Sequence, residues 1–197
     1  MKKIVIVIIS LFILAILGIS LLSNREVQTV EDIDQISYQD TFTQNEEEYI
    51  VYYWQEGCYF CELIDDDVTD FANNGGIPIY VVDMQENINQ NAWYDWQLHH
   101  DTYDEIIGEV VNGEEEFFSE INVEDYTEDT EIRWDIVQND NNEIIAKHRT
   151  PFPNIDITSA DQIEITGTPT MIHIKNETVA NYTIGADEAI ELLNSHR

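Results

Sequence analysis

Residues 49–62 read Tyr-Ile-Val-Tyr-Tyr-Trp-Gln-Glu-Gly-Cys-Tyr-Phe-Cys-Glu. An apolar, aromatic and β-branched run of the kind that forms a buried strand stops at Gly57 and presents Cys58 and Cys61. These are the only cysteines in the 197 residues, and two cysteines placed at random would fall at this spacing on the order of once in a hundred chains. A helix starting at Cys58 would set its sulfur beside free backbone N–H groups, which favour a thiolate. Cys61 would follow one turn later, within reach of a mixed disulfide formed at Cys58. The spacing therefore suggests Cys58 as nucleophile and Cys61 as the resolving thiol.

Working outward, Leu63, Ile64, Val68 and Phe71 recur at helical spacing until Asn73-Asn74-Gly75-Gly76 stops the helix, and Ile77–Met84 reads as a second strand. Upstream, Ser37 and Asp40 mark a helix start with Tyr38 and Phe42 on one face, and residues 25–36 read as a polar tether entering a short strand. Near the C-terminus Gly167-Thr168-Pro169-Thr170 leads into a strand at Met171–Ile174. A turn at Asn176, a strand at Val179–Ile184 and a helix carrying Ala189, Ile190, Leu192 and Leu193 follow.

Strand, Cys-x-x-Cys helix and strand, followed by Gly-Thr-Pro-Thr and a hairpin with a terminal helix, resemble the thioredoxin superfamily. The resemblance covers Ser37–Met84 and Glu164–Asn194. It implies an α/β thioredoxin-like fold, a central mixed sheet flanked by helices, built from residues 37–84 and 162–197. It also implies that Pro169 is cis, that the Thr168 backbone aligns the substrate chain, and that Trp54 walls the site. A redox-active disulfide between Cys58 and Cys61 would carry the chemistry without a further cofactor. Two departures stand out. Thioredoxins carry a buried acid where this chain has Tyr52, and a neutral phenol is no base for Cys61 at ordinary pH. Tyr59-Phe60 matches neither thioredoxins nor strong periplasmic oxidases. The missing base leans the expectation toward an oxidase or isomerase, while Glu56 and Glu62 oppose the helix terminus in setting the Cys58 thiol.

Residues 85–161 are too long for the ordinary connection and read as a mainly helical insertion with a hairpin. Trp93, Trp96, His100, Tyr103, Ile107 and Val110 fall on one helical face, which predicts a helix over Asn91–Val111. That stripe reads as a packing face or, alternatively, as a lid over the cysteines. Glu114–Thr130 reads as a helical turn and loop. Ile132, Trp134 and Ile136 alternate, Asn139–Asn142 turns, and Glu143–His148 returns as a hairpin. His99, His100 and Asp101 could be read as metal ligands, but adjacent histidines on a helix diverge, so one is expected packed and the other solvated, and no metal ligand is assigned.

Residues 4–22 are apolar apart from Ser10, Gly18 and Ser20, long enough to span a bilayer, and follow Lys2 and Lys3. Residues 1–24 are thus expected to be an uncleaved anchor or, alternatively, a cleaved signal, with the domain outside the cytoplasm in either case. Forty acidic against eight basic residues give a formal charge of −32, which excludes nucleic acid as a partner. Two function classes follow. One is an extracytoplasmic thiol–disulfide oxidoreductase acting on exported proteins or peptides with cysteines and recharged by a membrane or extracytoplasmic redox partner. The other is a soft-metal module binding copper or zinc through the same thiols.

Overall fold

The structure is a computed structural model that describes residues 26–197. The segment expected to cross a membrane lies outside them. Among the described residues no helix is long and apolar enough to do so.

The run around Tyr49 forms β1 (Glu48–Trp54), followed by α1 (Tyr59–Glu62), α2 (Asp65–Asn74) and β2 (Ile79–Asp83). At the other end of the chain lie β7 (Thr170–Lys175), β8 (Thr178–Ile184) and α5 (Ala186–Asn194). These strands form one four-stranded sheet in the order β2-β1-β7-β8. β1 runs parallel to β2 and antiparallel to β7, and β7 pairs antiparallel with β8. A parallel β-α-β unit beside an antiparallel hairpin and a closing helix is the thioredoxin-like arrangement.

Because side chains alternate across a strand, β1 serves two cores. Ile50, Tyr52 and Trp54 pack with Cys61, Val68, Phe71, Leu192 and Leu193. Tyr49, Val51 and Tyr53 pack on the opposite face with Tyr38, Ile165, Ile172 and Ile174. This alternation puts Tyr52 and Trp54 on the same side of the sheet as Cys61.

Residues 26–36 are not a free tether. Val30 and Ile33 are buried in the first core, the Asn73 side chain bonds both the N–H and the carbonyl of Val27, and Gln35 makes a parallel bridge to Val81. The helix expected from Ser37 is a single 3-10 turn, Tyr38–Asp40, whose Ser37 hydroxyl accepts from the Gln39 N–H.

The insertion is not mainly helical: strands and helical segments share it, and the strands build a sheet. A 3-10 segment (Asn87–Ala92) and α3 (Trp96–Tyr103) are followed by β3 (Glu105–Val111), β4 (Glu114–Phe117), α4 (Glu124–Thr127), β5 (Trp134–Gln138) and β6 (Glu143–His148). The strands form a second four-stranded sheet in the order β4-β3-β6-β5, antiparallel throughout. The expected Asn91–Val111 helix breaks at Asp104, whose backbone is extended. Ile106, Ile107, Val110 and Val111 beyond it are β-branched and lie in the sheet strand β3. Gly108 permits the close pairing of β3 and β4, since a Cβ there would lie 2.5 Å from the Glu116 carbonyl oxygen. The hairpin read from Trp134 to His148 forms around Asn139–Asn142.

Candidate active site: the Cys58–Cys61 pair

β1 delivers the chain to Gly57, which holds a φ of +74° that an L side chain rarely adopts, and the turn sets Cys58 as the N-cap of α1. The Cys61 N–H donates to Cys58 Sγ at 3.3 Å, as an N-cap acceptor requires. From the other half of the fold, the Thr168 hydroxyl donates to the same sulfur at 3.2 Å, and the Cys58 thiol donates to the Thr168 carbonyl at 3.3 Å. The Thr168–Pro169 peptide is cis, and the Pro169 carbonyl accepts from the Gly185 N–H at 2.8 Å at the start of α5. Residues 110 positions apart in the chain therefore meet at one sulfur.

The two thiols are free, with Cys58 partly exposed and Cys61 fully buried. Burial, followed by the hydrogen-bonded Cys58 thiol, pushes the Cys61 thiol up to about 12. Two donors, the Cys61 N–H and the Thr168 hydroxyl, are aimed at Cys58 Sγ. The pair is thus asymmetric: a partly exposed sulfur that receives two hydrogen bonds and a buried one whose thiol burial pushes up.

Trp54 is buried at the end of β1 in the core cluster that contains Cys61 and touches Cys58, so it backs the pair from inside. The outer wall joins Thr168 and Pro169, expected from the sequence, to Phe60, Leu63 and Ile184, whose roles the sequence did not suggest. Phe60, Leu63, Thr168, Pro169 and Ile184 line a groove of about 440 Å³. Tyr59 is 66% exposed, Phe60 57% and Leu63 54%, an apolar collar on the helix that Cys58 caps. The signal was there in Tyr59-Phe60, whose bulk is out of place on the solvent side of a helix unless something docks on it.

Tyr52 carries no base to Cys61: burial and the neighbouring thiols hold its phenol well above its ordinary range. Its hydroxyl is buried without a hydrogen-bond partner, and so is one carboxyl oxygen of Asp65, whose charge Tyr52 feels. Burial raises the Asp65 carboxyl, with Glu31, Glu62 and Asp66 adding to it. Among the described residues no third ligating side chain forms a metal-holding group of three with the two sulfurs.

Side chains of the insertion bond the backbone on both sides of this site, with the Gln85 amide donating to the Glu56 carbonyl at 3.1 Å. The Trp96 indole N–H donates to the Thr166 carbonyl at 3.2 Å, and Trp93 bridges to Ile165, which steadies the loop before Thr168. The aromatic stripe is divided: Trp96, His100 and Tyr103 lie on α3, Ile107 and Val110 on β3. His99 is buried and bonded to Tyr94 and His148, and His100 pairs with Asp104, so these two histidines face different partners.

No family model matches this chain. No curated protein matches it either. Solved thioredoxin structures do. Thioredoxin f2 of Chlamydomonas reinhardtii is 13% identical over 84% of this chain and 96% of that one, with a TM-score of 0.40. The short form of spinach chloroplast thioredoxin f is 10% identical over 87% and 96%, at 0.39. The Malassezia sympodialis thioredoxin is 13% identical over 83% and 90%, at 0.38. These overlays are loose, and the thioredoxin-like assignment stands on the strand order, the Cys58–Cys61 turn and the loop at Pro169.

Proposed function

We propose that the protein is a membrane-tethered, extracytoplasmic thiol–disulfide oxidoreductase acting on cysteines of exported proteins or peptides. The observation that carries this reading is the asymmetry of the pair: Cys58 partly exposed with two donors on its sulfur, Cys61 buried one turn on with its thiol pushed up to about 12. Location rests on the apolar segment at 4–22 behind Lys2 and Lys3.

In the reducing direction the Cys58 thiolate attacks one sulfur of a partner disulfide. The partner S–S bond breaks, a Cys58–partner bond forms, and the departing thiolate takes up a proton. Cys61, on losing its proton, attacks Cys58 Sγ and expels the second partner thiol, so the partner gains two electrons and the Cys58–Cys61 disulfide closes. In the oxidising direction a partner thiolate attacks Cys58 of the Cys58–Cys61 bridge, the S–S bond breaks, and Cys61 leaves as a thiolate that takes up a proton from water. A second partner thiolate then attacks the mixed disulfide and releases Cys58, so the partner loses two electrons. Tyr52 stands where a base would take the Cys61 proton in the first route. We therefore favour oxidation or isomerisation of partner thiols as the working direction. The collar of Tyr59, Phe60 and Leu63 suits an extended apolar segment flanking the partner cysteine.

The test is oxidative refolding of a reduced, disulfide-requiring protein by the pre-oxidised full-length chain in detergent. Wild type should speed refolding with two oxidising equivalents delivered per bridge, and Cys58→Ser should fall to the uncatalysed background. Equal refolding rates for the two would refute the reading.

A further inference from the structure

At the end of β1 remote from the cysteines, three ligating side chains from distant parts of the chain converge. Glu48 opens β1, His173 lies on the neighbouring β7, and His196 follows α5. Glu48 Oε1 lies 3.0 Å from His173 Nε2 and 3.8 Å from His196 Nε2. The imidazole centroids are 4.4 Å apart, and the three ligand atoms all fall within 4.8 Å of one another. A four-coordinate first-row ion with bonds of about 2.0 Å holds its ligand atoms about 3.3 Å apart, so small side-chain rotations suffice to close this triad on an ion.

The ligands are held from behind. His196 donates its backbone N–H to Leu193, accepts from the Gly76 N–H at 2.8 Å, and places Nδ1 3.0 Å from the Leu192 carbonyl and 2.8 Å from the Ser195 hydroxyl, which itself donates to that carbonyl at 2.7 Å. In the tautomer that carries its proton on Nδ1, donated to the Leu192 carbonyl, the Nε2 lone pair faces the Glu48 carboxylate. Two electron-rich atoms facing each other at 3.8 Å invite a cation between them. His173 is buried, and the Lys175 ammonium holds the other Glu48 oxygen at 2.9 Å, which turns Oε1 toward the histidines. Because that ammonium already shares the carboxylate, the site selects ions that bind through imidazole nitrogen over hard ions held by charge alone.

We propose that Glu48, His173 and His196 bind a divalent transition ion of the Zn²⁺ type, with water completing the coordination. The ion ties β1, β7 and the end of the chain together, and it is independent of the thiol chemistry.

The experiment uses the full-length chain in detergent as a Cys58→Ser/Cys61→Ser double variant, freed of metal by chelation, so that thiols contribute no ligand. Titration with Co²⁺ should give the intense visible absorption of a four-coordinate ion, saturating at one equivalent and bleached by Zn²⁺, and Zn²⁺ should raise the thermal midpoint. Adding Glu48→Gln or His196→Ala, both at partly exposed positions, should weaken Co²⁺ binding by more than about tenfold and abolish the thermal shift. Absence of the absorption, or its persistence at full affinity in His196→Ala, overturns the proposal.

Discussion

The two four-stranded sheets are built to different standards. In the first, β1 is buried from Tyr49 to Trp54 and β7 from Thr170 to Ile174, with a core on each face. In the second, the fully buried apolar residues are Ile107, Ile144 and Ala146, and every residue of β4 is exposed. The first sheet can hold a thiol at about 12 beside a partly exposed one because its interior is dry and fixed. The second has too little interior to shift a thiol that way or to stand alone, and it depends on α3 and the His99–His148 contact for its seat. The cysteine pair sits against the sheet with the larger interior, and the second sheet has a core of three fully buried apolar residues.

The largest effect should come from emptying the small core. Ile144→Ala removes one of its three buried residues and should cost about 2–5 kcal/mol. That is enough to open β3–β6 locally while the first sheet stays closed. Hydrogen exchange should show protection lost over 105–148 and kept over 48–54 and 170–175; loss in both would show a single cooperative unit.

Acid should loosen the second sheet next. Burial depresses the folded pKa of both His99 and His148 below the ordinary 6.5, and His99 Nε2 and His148 Nδ1 share one hydrogen bond at 2.9 Å. Groups depressed on folding contribute stability that is present above 6.5 and lost as pH falls through their folded values. The facing charges do not cancel this: His100 and His148 oppose protonation of His99 while Asp104 favours it, and Asp104 and Asp129 only partly relieve His148. Near-ultraviolet dichroism of the Trp134 region should thus fade as pH falls below 6.5, and His148→Phe should weaken that dependence.

Tyr52→Asp places a carboxyl on the strand beside Cys61 and should raise insulin reduction by about tenfold, somewhat below the usual scale of one well-placed general base. No gain in a folded variant would mean that proton removal from Cys61 is not what limits reduction. Thr168→Val, which deletes one of the donors on Cys58 Sγ, should slow exchange severalfold, consistent with about 1 kcal/mol for such a bond. The smallest change is Tyr52→Phe, which removes a buried hydroxyl with no partner and, by thermal unfolding, should leave stability unchanged or raise it by about 1 kcal/mol.

What could be read from sequence divides along the same line. The first sheet was legible because its strands are continuous apolar runs punctuated by Gly57, Gly75-Gly76 and Gly167, signals that local chemistry writes strongly. Trp134–His148 was legible for its alternation and its Asn-rich turn. β4 was not, since Glu114-Glu115-Glu116 carries no strand preference and is held by pairing to β3. Asn91–Val111 misled because Ile107 and Val110 continue the helical phase of Trp96 and Tyr103 by coincidence, while the break at Asp104 bears no proline or glycine. Val30 and Ile33 looked isolated because the surface they cover, α2, lies some forty residues ahead. The Glu48–His173–His196 cluster spans the whole domain and leaves no spacing to recognise. Phe60 and Leu63 gained meaning only when Pro169 and Ile184 closed the groove opposite them.

The central claim is that Cys58 attacks and Cys61 resolves, and trapping tests it most directly. Full-length Cys61→Ala and Cys58→Ala should each be incubated with a disulfide-bonded peptide, quenched with acid and alkylating agent, and weighed intact by mass spectrometry. The account expects Cys61→Ala to accumulate one peptide adduct mapping to Cys58 and Cys58→Ala to carry essentially none, because its remaining thiol is fully buried and held near 12. Equal adduct in the two variants, or adduct confined to Cys58→Ala, would contradict it.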